Sequence, residues 1–159
     1  MPVDENGVIK PLPSWYVTGL FDGEGSFGLY CCTKNDGHIR VQIVAALTLR
    51  ADQKSLIQRL QVTLPGYVSD CNYDERPGRH PLRRWEASSR RQVEQVVEHF
   101  EEYPLIGQKQ KEFEIWRRAI VLYYGIMGDR RKFSKRPDWL LSAMKYYEQE
   151  LKEAKKYAE

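Results

Sequence analysis

Two acidic residues stand among glycines in the segment from Trp15 to Phe27, which reads Trp-Tyr-Val-Thr-Gly-Leu-Phe-Asp-Gly-Glu-Gly-Ser-Phe. Asp22 and Glu24 follow an apolar helical stretch, so they fall where the dipole of a helix C-terminus disfavours negative charge. A carboxylate placed there gains most if a cation binds beside it. The segment therefore predicts a cation site, and the alternative is a glycine-capped amphipathic helix whose acids lie in a solvated turn.

The glycines of this segment point to a close contact with another surface. Gly19 lies in the middle of the predicted helix, where glycine costs about 1 kcal/mol relative to alanine. Close approach of another backbone is the usual reason for such a glycine. Gly23 and Gly25 flank Glu24, so we expect the chain to leave the helix with positive φ and to come near another surface.

Basic residues are concentrated in two places on a chain whose net charge is only +3. Six arginines lie between residues 76 and 91, and a second cluster follows the longest helical pattern, at Arg130, Arg131, Lys132, Lys135 and Arg136. Local basic patches of this kind favour a polyanion bound on one face. The alternative is two solvated surface loops.

Length and composition indicate one soluble globular domain. The chain has 159 residues, of which 42% are hydrophobic and 30% are charged, and its apolar runs are shorter than the roughly 20 residues that cross a bilayer. We expect residues 1–13 to form an extended lead-in and residues 14–159 to form the domain, with a frayed C-terminal end. Three cysteines without zinc or disulfide spacing favour a reducing, intracellular compartment.

The hydrophobic periodicity predicts the element order α-β-β-α-β-β-α-α-α. Helices are expected to begin after Ser14, Asp52 and either Ser88 or Ser89 as N-caps, and later near Gln108 and Pro137. The strands are predicted at 26–33, 39–49, around 67–68 and 82–87, with the turn Asp36-Gly37 closing the first hairpin. Two hairpins would make a four-stranded antiparallel sheet with helices on one face, which is an α+β fold.

The stretch from Val17 to Gly25 resembles the nine-residue LAGLIDADG motif of the homing endonucleases, with Thr18 and Glu24 as conservative departures. Later stretches are also similar to that family: Leu47-Thr48 with Arg50 and Asp52, Tyr103-Pro104-Leu105, Gln108-Lys109-Gln110 and Phe113. The resemblance implies the αββαββα fold, with the sheet as a DNA-binding saddle and with extra helices at the C-terminal end.

The resemblance also implies a function and an assembly. It implies an intron-encoded, site-specific endonuclease that makes metal-dependent double-strand breaks by phosphodiester hydrolysis in a long, pseudo-palindromic DNA target, leaving 3′ overhangs. Mg²⁺ would be the cofactor, with Mn²⁺ able to substitute. Because the sequence contains one motif, the family analogy implies a homodimer. The residues expected at the dimer interface are Tyr16, Gly19, Leu20, Asp22 and Gly23.

Individual roles follow from the same resemblance. Glu24 matches the metal-binding carboxylate of the motif, and the Gly23 carbonyl would be a further ligand, whereas Asp22 is expected to act as a cap or to stabilise the interface. Lys109 would neutralise charge on the phosphate. Leu49 stands where the family has a glutamine, so either Arg50 or Gln53 serves instead or activity is reduced.

The sheet is expected to supply the surface that reads DNA. Strand alternation turns Phe27, Leu29 and Cys31 inward and the polar set outward. The predicted outward set is Tyr30, Cys32, Lys34, Arg40, Gln42, Val44, Ser69, Cys71, Arg84 and Glu86. Phosphate contacts, which carry no sequence information, are expected from Arg76, Arg79, Arg130, Arg131 and Lys132.

Two other functions remain open at the level of sequence. The first is an intron maturase that binds its host intron RNA, or a catalytically inactive DNA-binding relative on the same scaffold. The second is a sheet-based protein-interaction module. No membrane partner is expected, and the compartment would be an organelle or a prokaryotic cytoplasm.

Overall fold

The computed structural model describes residues 3–71, 80–128 and 136–156. Its elements follow the predicted order, with five helices and four strands in these ranges. They are α1 Ser14–Glu24, β1 Gly25–Thr33, β2 Ile39–Arg50, α2 Lys54–Thr63, β3 Tyr67–Cys71, β4 Leu82–Ala87, α3 Arg90–Glu102, α4 Lys109–Met127 and α5 Asp138–Ala154. None of the described helices is long and apolar enough to cross a bilayer.

The four strands form one antiparallel sheet in the order β1-β2-β4-β3, which confirms the predicted α+β class. The register sets Gly28 opposite Val44 and Tyr30 opposite Gln42. Since side chains alternate between the two faces of a strand, residues at these positions share the face away from the core. The opposite face carries the apolar side chains.

An aromatic cluster forms the centre of the core between the sheet and the helices. Phe27 is fully buried, and its ring centroid lies 5.0 Å from that of Trp116 on α4 and 5.8 Å from that of Phe100 on α3. Phe21 of α1 lies 5.0 Å from Phe100 and 5.6 Å from Trp85 of β4. The helix that ends at Glu24 is therefore fixed to the sheet by its own buried side chains.

The helix N-termini were predicted with mixed success. Ser89, one of the two candidate N-caps, caps α3 and forms a capping box there, with its side chain bound to Gln92 N and Gln92 bound back to the Ser89 backbone. The prediction for Ser14 was wrong, because α1 begins at Ser14 itself after Pro13 and has no side-chain cap. Asp52 does not cap α2 either; its carboxylate accepts a hydrogen bond from Arg50 Nη2 at 2.7 Å instead.

Two helices attach to the edge strand β1. Trp116 Nε1 on α4 donates to the Gly28 carbonyl at 3.1 Å, deep in the protein. On α5, the Glu148 carboxylate accepts a hydrogen bond from Cys31 N at 2.6 Å. Unpaired N–H and C=O groups line a free sheet edge, and the Glu148 carboxylate satisfies one of them at Cys31.

Residues 3–13, the described part of the expected lead-in, are structured. Val3 and Ile9 form an isolated antiparallel bridge. Leu12 is buried, and its N–H donates to Thr63 Oγ1 at 2.7 Å. Arg59 of α2 donates to the Lys10 and Pro11 carbonyls, each at 3.0 Å, so the lead-in packs against α2.

Candidate metal centre and nucleic-acid surface

One face of α1 is largely uncovered within the described chain, although Leu20 also packs against the edge of the core. Tyr16 is 50% exposed, and Gly19 and Gly23 are exposed while Leu20 is half-buried. A Cβ added at either Gly19 or Gly23 would meet nothing within 4 Å. These four residues recur at the 3–4 residue spacing of one helix face, so the proposed interface residues other than Asp22 form a continuous open strip. We call this strip the glycine face.

The motif ends with an exposed carboxylate and a direct turn into the sheet. Glu24 is the last residue of α1 and is exposed, and Gly25 opens β1. The prediction of positive φ at this exit was wrong, because Gly25 has φ of −76° and extended backbone. Glycine is needed there for space: a Cβ at Gly25 would lie 2.5 Å from Phe21 Cδ1 and 2.9 Å from Phe21 Cα.

We therefore expect Gly25→Ala to destabilise the fold by about 1–3 kcal/mol, the usual cost of forcing an extra methyl group into packed space. Chemical denaturation followed by circular dichroism measures the change. Gly125→Ala is the matched control, because Gly125 lies in α4 and a Cβ there meets nothing within 4 Å. Equal stability of the two variants would contradict the steric reason given for Gly25.

Asp22 and Lys109 join the end of α1 to the start of α4. The Asp22 carboxylate accepts hydrogen bonds from Ile106 N at 2.9 Å and Gly107 N at 3.1 Å. Lys109 Nζ in turn donates to the Asp22 carbonyl at 3.0 Å. Asp22 was expected either to act as a cap or to stabilise the dimer interface. In the structure its carboxylate caps backbone N–H groups of the same chain, just before α4. Lys109 Nζ is therefore held on the backbone carbonyl that lies two residues before Glu24 in the sequence.

Thr18, a departure from the motif, has a specific partner. Its side chain is 2% exposed, and Oγ1 donates to the Tyr103 carbonyl at 2.8 Å and lies 3.2 Å from His99 Nε2. Burial lowers the pKa of His99 below its usual value. The Thr18 hydroxyl thus provides a hydrogen-bond partner for the Tyr103 carbonyl and the His99 imidazole, and an alanine at position 18 would leave both groups without it.

The residue at the end of β2 that replaces the family glutamine lies away from the open face. Leu49 is 7% exposed and pairs with Arg83 on the helix side of the sheet. Arg50 and Gln53, the two substitutes considered, are both exposed. Arg50 is bound by Asp52, and Gln53 precedes α2 without a side-chain cap. In this conformation Arg50 is therefore engaged with its own chain.

The open face of the sheet carries most of the residues predicted to read DNA. Those exposed or half-buried are Tyr30, Cys32, Arg40, Gln42, Ser69, Arg84 and Glu86, while Lys34 lies exposed in the turn after β1. Val44 and Cys71 occupy the same face but are only 2% and 8% exposed. A Cβ on Gly28 would lie 2.8 Å from the Tyr30 ring and 2.9 Å from Val44 Cγ2, so the Tyr30 side chain occupies the space above Gly28 beside Val44.

Five predicted phosphate contacts, at Arg76, Arg79, Arg130, Arg131 and Lys132, fall outside the described residues. Within the described ranges, Arg84 is paired with Glu86 at 3.0 Å. Arg40 is exposed on the open face of β2.

The donor atoms at the end of α1 suit a hard divalent cation. The Glu24 carboxylate is exposed, and Gly23 contributes one of the last carbonyls of the helix, which have no intrahelical partner. Mg²⁺ prefers oxygen ligands of this kind. The described residues contain no group of three His, Cys, Asp or Glu side chains close enough to hold a metal. One copy of the site therefore supplies a partial ligand set.

Solved structures show the class to which this architecture belongs. The fold is that of the LAGLIDADG homing endonucleases. It matches I-GzeII in complex with its DNA target (TM-score 0.66, 22% identity, 90% of this chain and 43% of that chain). It also matches I-CpaMI bound to uncleaved DNA (0.62, 21%, 92% and 52%) and I-SmaMI bound to uncleaveable DNA (0.69, 16%, 98% and 51%). The chain spans about half the length of these proteins.

Sequence comparison establishes the family. Residues 17–120 match the LAGLIDADG endonuclease family, and the chain belongs to it. A relative from Neurospora crassa, probable intron-encoded endonuclease 3, is 28% identical over 119 residues, which are 74% of this chain and 21% of the relative. The family match includes α1 and the first turns of α4, and α5 lies beyond it.

Proposed function

We propose that this protein is a site-specific DNA endonuclease that acts as a homodimer and needs Mg²⁺, cutting both strands of a long, pseudo-palindromic target. The observation that carries the proposal is the end of α1. There the exposed Glu24 carboxylate follows Gly23 directly, and Lys109 Nζ binds the Asp22 carbonyl two residues before Glu24, at the end of the helix that carries the glycine face. Family membership supports nuclease chemistry at this place.

The chemical roles follow from the groups present. Glu24 and Gly23 would hold the cation, which when bound polarises a phosphate and lowers the pKa of an attacking water. Lys109 Nζ has three N–H donors, of which the Asp22 carbonyl accepts one. Its remaining donors and its charge are available to stabilise negative charge that develops on the phosphate.

The assembly follows from the glycine face. Two copies of α1 that meet through Gly19 and Gly23 would approach closely, because neither residue has a side chain to separate the backbones. An isologous contact of this kind closes as a two-fold dimer. It would bring two Glu24 carboxylates near one axis and complete the partial ligand set of a single chain. A two-fold protein in turn favours a target with two similar half-sites.

The open face of the sheet would read the target in the major groove. Arginine and glutamine make bidentate contacts to guanine and adenine, and Arg40 and Gln42 stand on this face. Tyr30, whose side chain occupies the space above Gly28, offers an apolar surface with a polar tip. I-GzeII in complex with its DNA target and I-CpaMI bound to uncleaved DNA have the same fold, which supports DNA as the partner.

Substitution of Arg40 is expected to relax the sequence preference. Arg40→Ala should lower discrimination at one base pair of each half-site by about 1–3 kcal/mol. Competition binding between the preferred site and its single-base variants measures this. Arg91→Ala, which removes an equally exposed arginine from α3, should leave the preference unchanged. Uniformly weaker binding to all sequences would instead assign Arg40 to a phosphate.

A selection experiment tests the proposed function as a whole. The full chain is incubated with a randomised duplex library and Mg²⁺, cleaved molecules are recovered, and the selection is repeated with EDTA and with Mn²⁺. We expect cleaved sites with two-fold symmetry, recovered only with a divalent ion. Recovery of cleaved molecules in EDTA at the same rate, or of none with either metal, would contradict the proposal.

A second candidate is a DNA-binding or RNA-binding relative that does not cut, and Leu49 favours it. This buried side chain stands where the family has a glutamine and cannot order a water on the open face. Binding of a specific duplex without cleavage in Mg²⁺ or Mn²⁺ would support the silent DNA-binding protein. Promotion of host intron splicing would support a maturase.

A further inference from the structure

Two lysines from different helices bind the backbone on either side of Glu24. Lys109 Nζ, at the start of α4, donates to the Asp22 carbonyl at 3.0 Å. Lys155 Nζ, just after α5, donates to the Phe27 carbonyl at 2.5 Å. The first carbonyl precedes Glu24 by two residues and the second follows it by three, so a cation holds each end of the segment.

Glu112 is a buried acidic residue of α4 whose pKa is influenced by the charges of both lysines. It is only 4% exposed and lies three residues after Lys109 on α4, the spacing that brings side chains onto one helix face. Burial raises the pKa of Glu112, whereas the positive charges of Lys155 and Lys109 act to lower it. Burial likewise lowers the pKa of Lys155, and the charge of Glu112 opposes that change. Buried charges are stable only when others compensate them.

The end of α5 is fixed at several points, so the Lys155 ammonium has a defined place. Glu148 of α5 accepts the hydrogen bond from Cys31 N, and Gln108 Nε2 donates to the Ala154 carbonyl at 3.3 Å. Leu140, Met144 and Leu151 of the same helix are buried in the core. The helix thus spans from the middle of β1 to the start of α4.

We propose that Lys155 is a positioning residue of the nuclease site. Its ammonium fixes the backbone that carries Glu24, in concert with Lys109 and with Glu112 as their shared counter-charge. The inference rests on the proposed nuclease function. The family match covers residues 17–120, so α5 and Lys155 lie beyond it. The proposal therefore gives this later part of the chain a role in positioning the metal-binding end of α1. Lys155 points to a carbonyl of its own chain, so its effect is on cleavage rather than on DNA affinity.

The test compares Lys155→Met, Lys155→Arg and wild type in single-turnover cleavage of a selected site over a Mg²⁺ titration. We expect Lys155→Met to cleave on the order of 10- to 100-fold more slowly, as for other small displacements of catalytic groups. We also expect its half-maximal rate at higher Mg²⁺, with the Kd for DNA unchanged. Lys155→Arg, which retains the cation, should recover part of the rate. Lys156→Met is the matched control, since Lys156 is exposed and bound to Glu153.

A second measurement does not depend on cleavage. Thermal unfolding midpoints of Glu112→Gln, Lys155→Met and the double variant form a mutant cycle. We expect the double variant to be destabilised less than the two single shifts together, because each single change leaves one buried charge without its partner. Additive shifts would overturn the role given to Glu112.

The outcomes separate the two proposals. A wild-type chain that binds DNA but does not cleave contradicts the nuclease function itself. An active wild type with Lys155→Met cleaving at the same rate and the same Mg²⁺ dependence overturns the positioning role alone. Slower cleavage that tracks only the loss of folded protein, with unchanged Mg²⁺ dependence, would also overturn it.

Discussion

Glu24→Gln is expected to lower the cleavage rate by about 1000-fold or more while leaving DNA affinity nearly unchanged. The amide keeps the size of the side chain but removes the charge that holds a cation, and loss of one preorganised electrostatic group commonly costs 100- to 1000-fold. In the proposed dimer the change occurs twice. Because Glu24 is exposed at the end of α1, the fold should not be affected. Single-turnover cleavage and equilibrium binding measure the two effects separately.

Glu98→Gln provides the control for this prediction. Glu98 is exposed on α3, so the same change of charge occurs away from the motif, and we expect wild-type cleavage. A Glu24→Gln protein that cuts at the wild-type rate would remove Glu24 from the metal site. Equal loss of binding and cleavage would assign it to DNA contact instead.

If the proposed dimer forms through the glycine face, Gly19→Leu should convert it to a folded, inactive monomer. A Cβ at Gly19 meets nothing within 4 Å in a single chain, and leucine is the better helix former by close to 1 kcal/mol, so the monomer should be at least as stable. In a close helix contact the added side chain costs about 1–3 kcal/mol, and two-fold symmetry places it there twice. The dimer dissociation constant should rise from roughly 30-fold to over 10,000-fold.

Sedimentation velocity at several protein concentrations measures the assembly, and cleavage of the selected site measures its consequence. Gly125→Leu is the matched control, because Gly125 lies in α4 with equally open surroundings and should leave the dimer intact. If the wild-type chain were monomeric even with DNA, or if the Gly19→Leu protein stayed dimeric, the glycine face would not be the interface.

Much of the fold could be predicted because local rules decide it. The alternation of apolar residues in β2 put Ile43, Ala45 and Leu47 on one face, and all three are buried in the core. The N-cap of α3 was predicted as either Ser88 or Ser89, and it is Ser89. The N-caps predicted at Ser14 and Asp52 were wrong, because Pro13 stands at the cap position of α1 and Gln53 at that of α2. Arg50 took the Asp52 carboxylate that α2 could have used.

The candidate site could be predicted only in part. The family resemblance pointed to Glu24 and Lys109, but the contacts that hold the surrounding backbone are visible only in the structure. The reason for Gly25 could not be found from the sequence, because it depends on where the Phe21 ring packs. Neither could the bond from Lys155 to Phe27, which joins residues 128 positions apart in sequence. Lys155 directly follows a helix rich in lysine and glutamate, where nothing in the sequence separates a half-buried lysine from its exposed neighbours.

The attachment of α5 along β1 also restricts how two molecules can meet. A bare strand at the border of a sheet attracts strands from other chains and leads to open-ended fibres. Here Glu148 and Lys155 occupy the Cys31 N–H and the Phe27 carbonyl, so an incoming strand would have to displace buried or charged side chains. Pairing of two sheets edge to edge across β1 is therefore disfavoured, which is consistent with the proposed contact through α1, where two helices that meet about a two-fold axis form a closed pair.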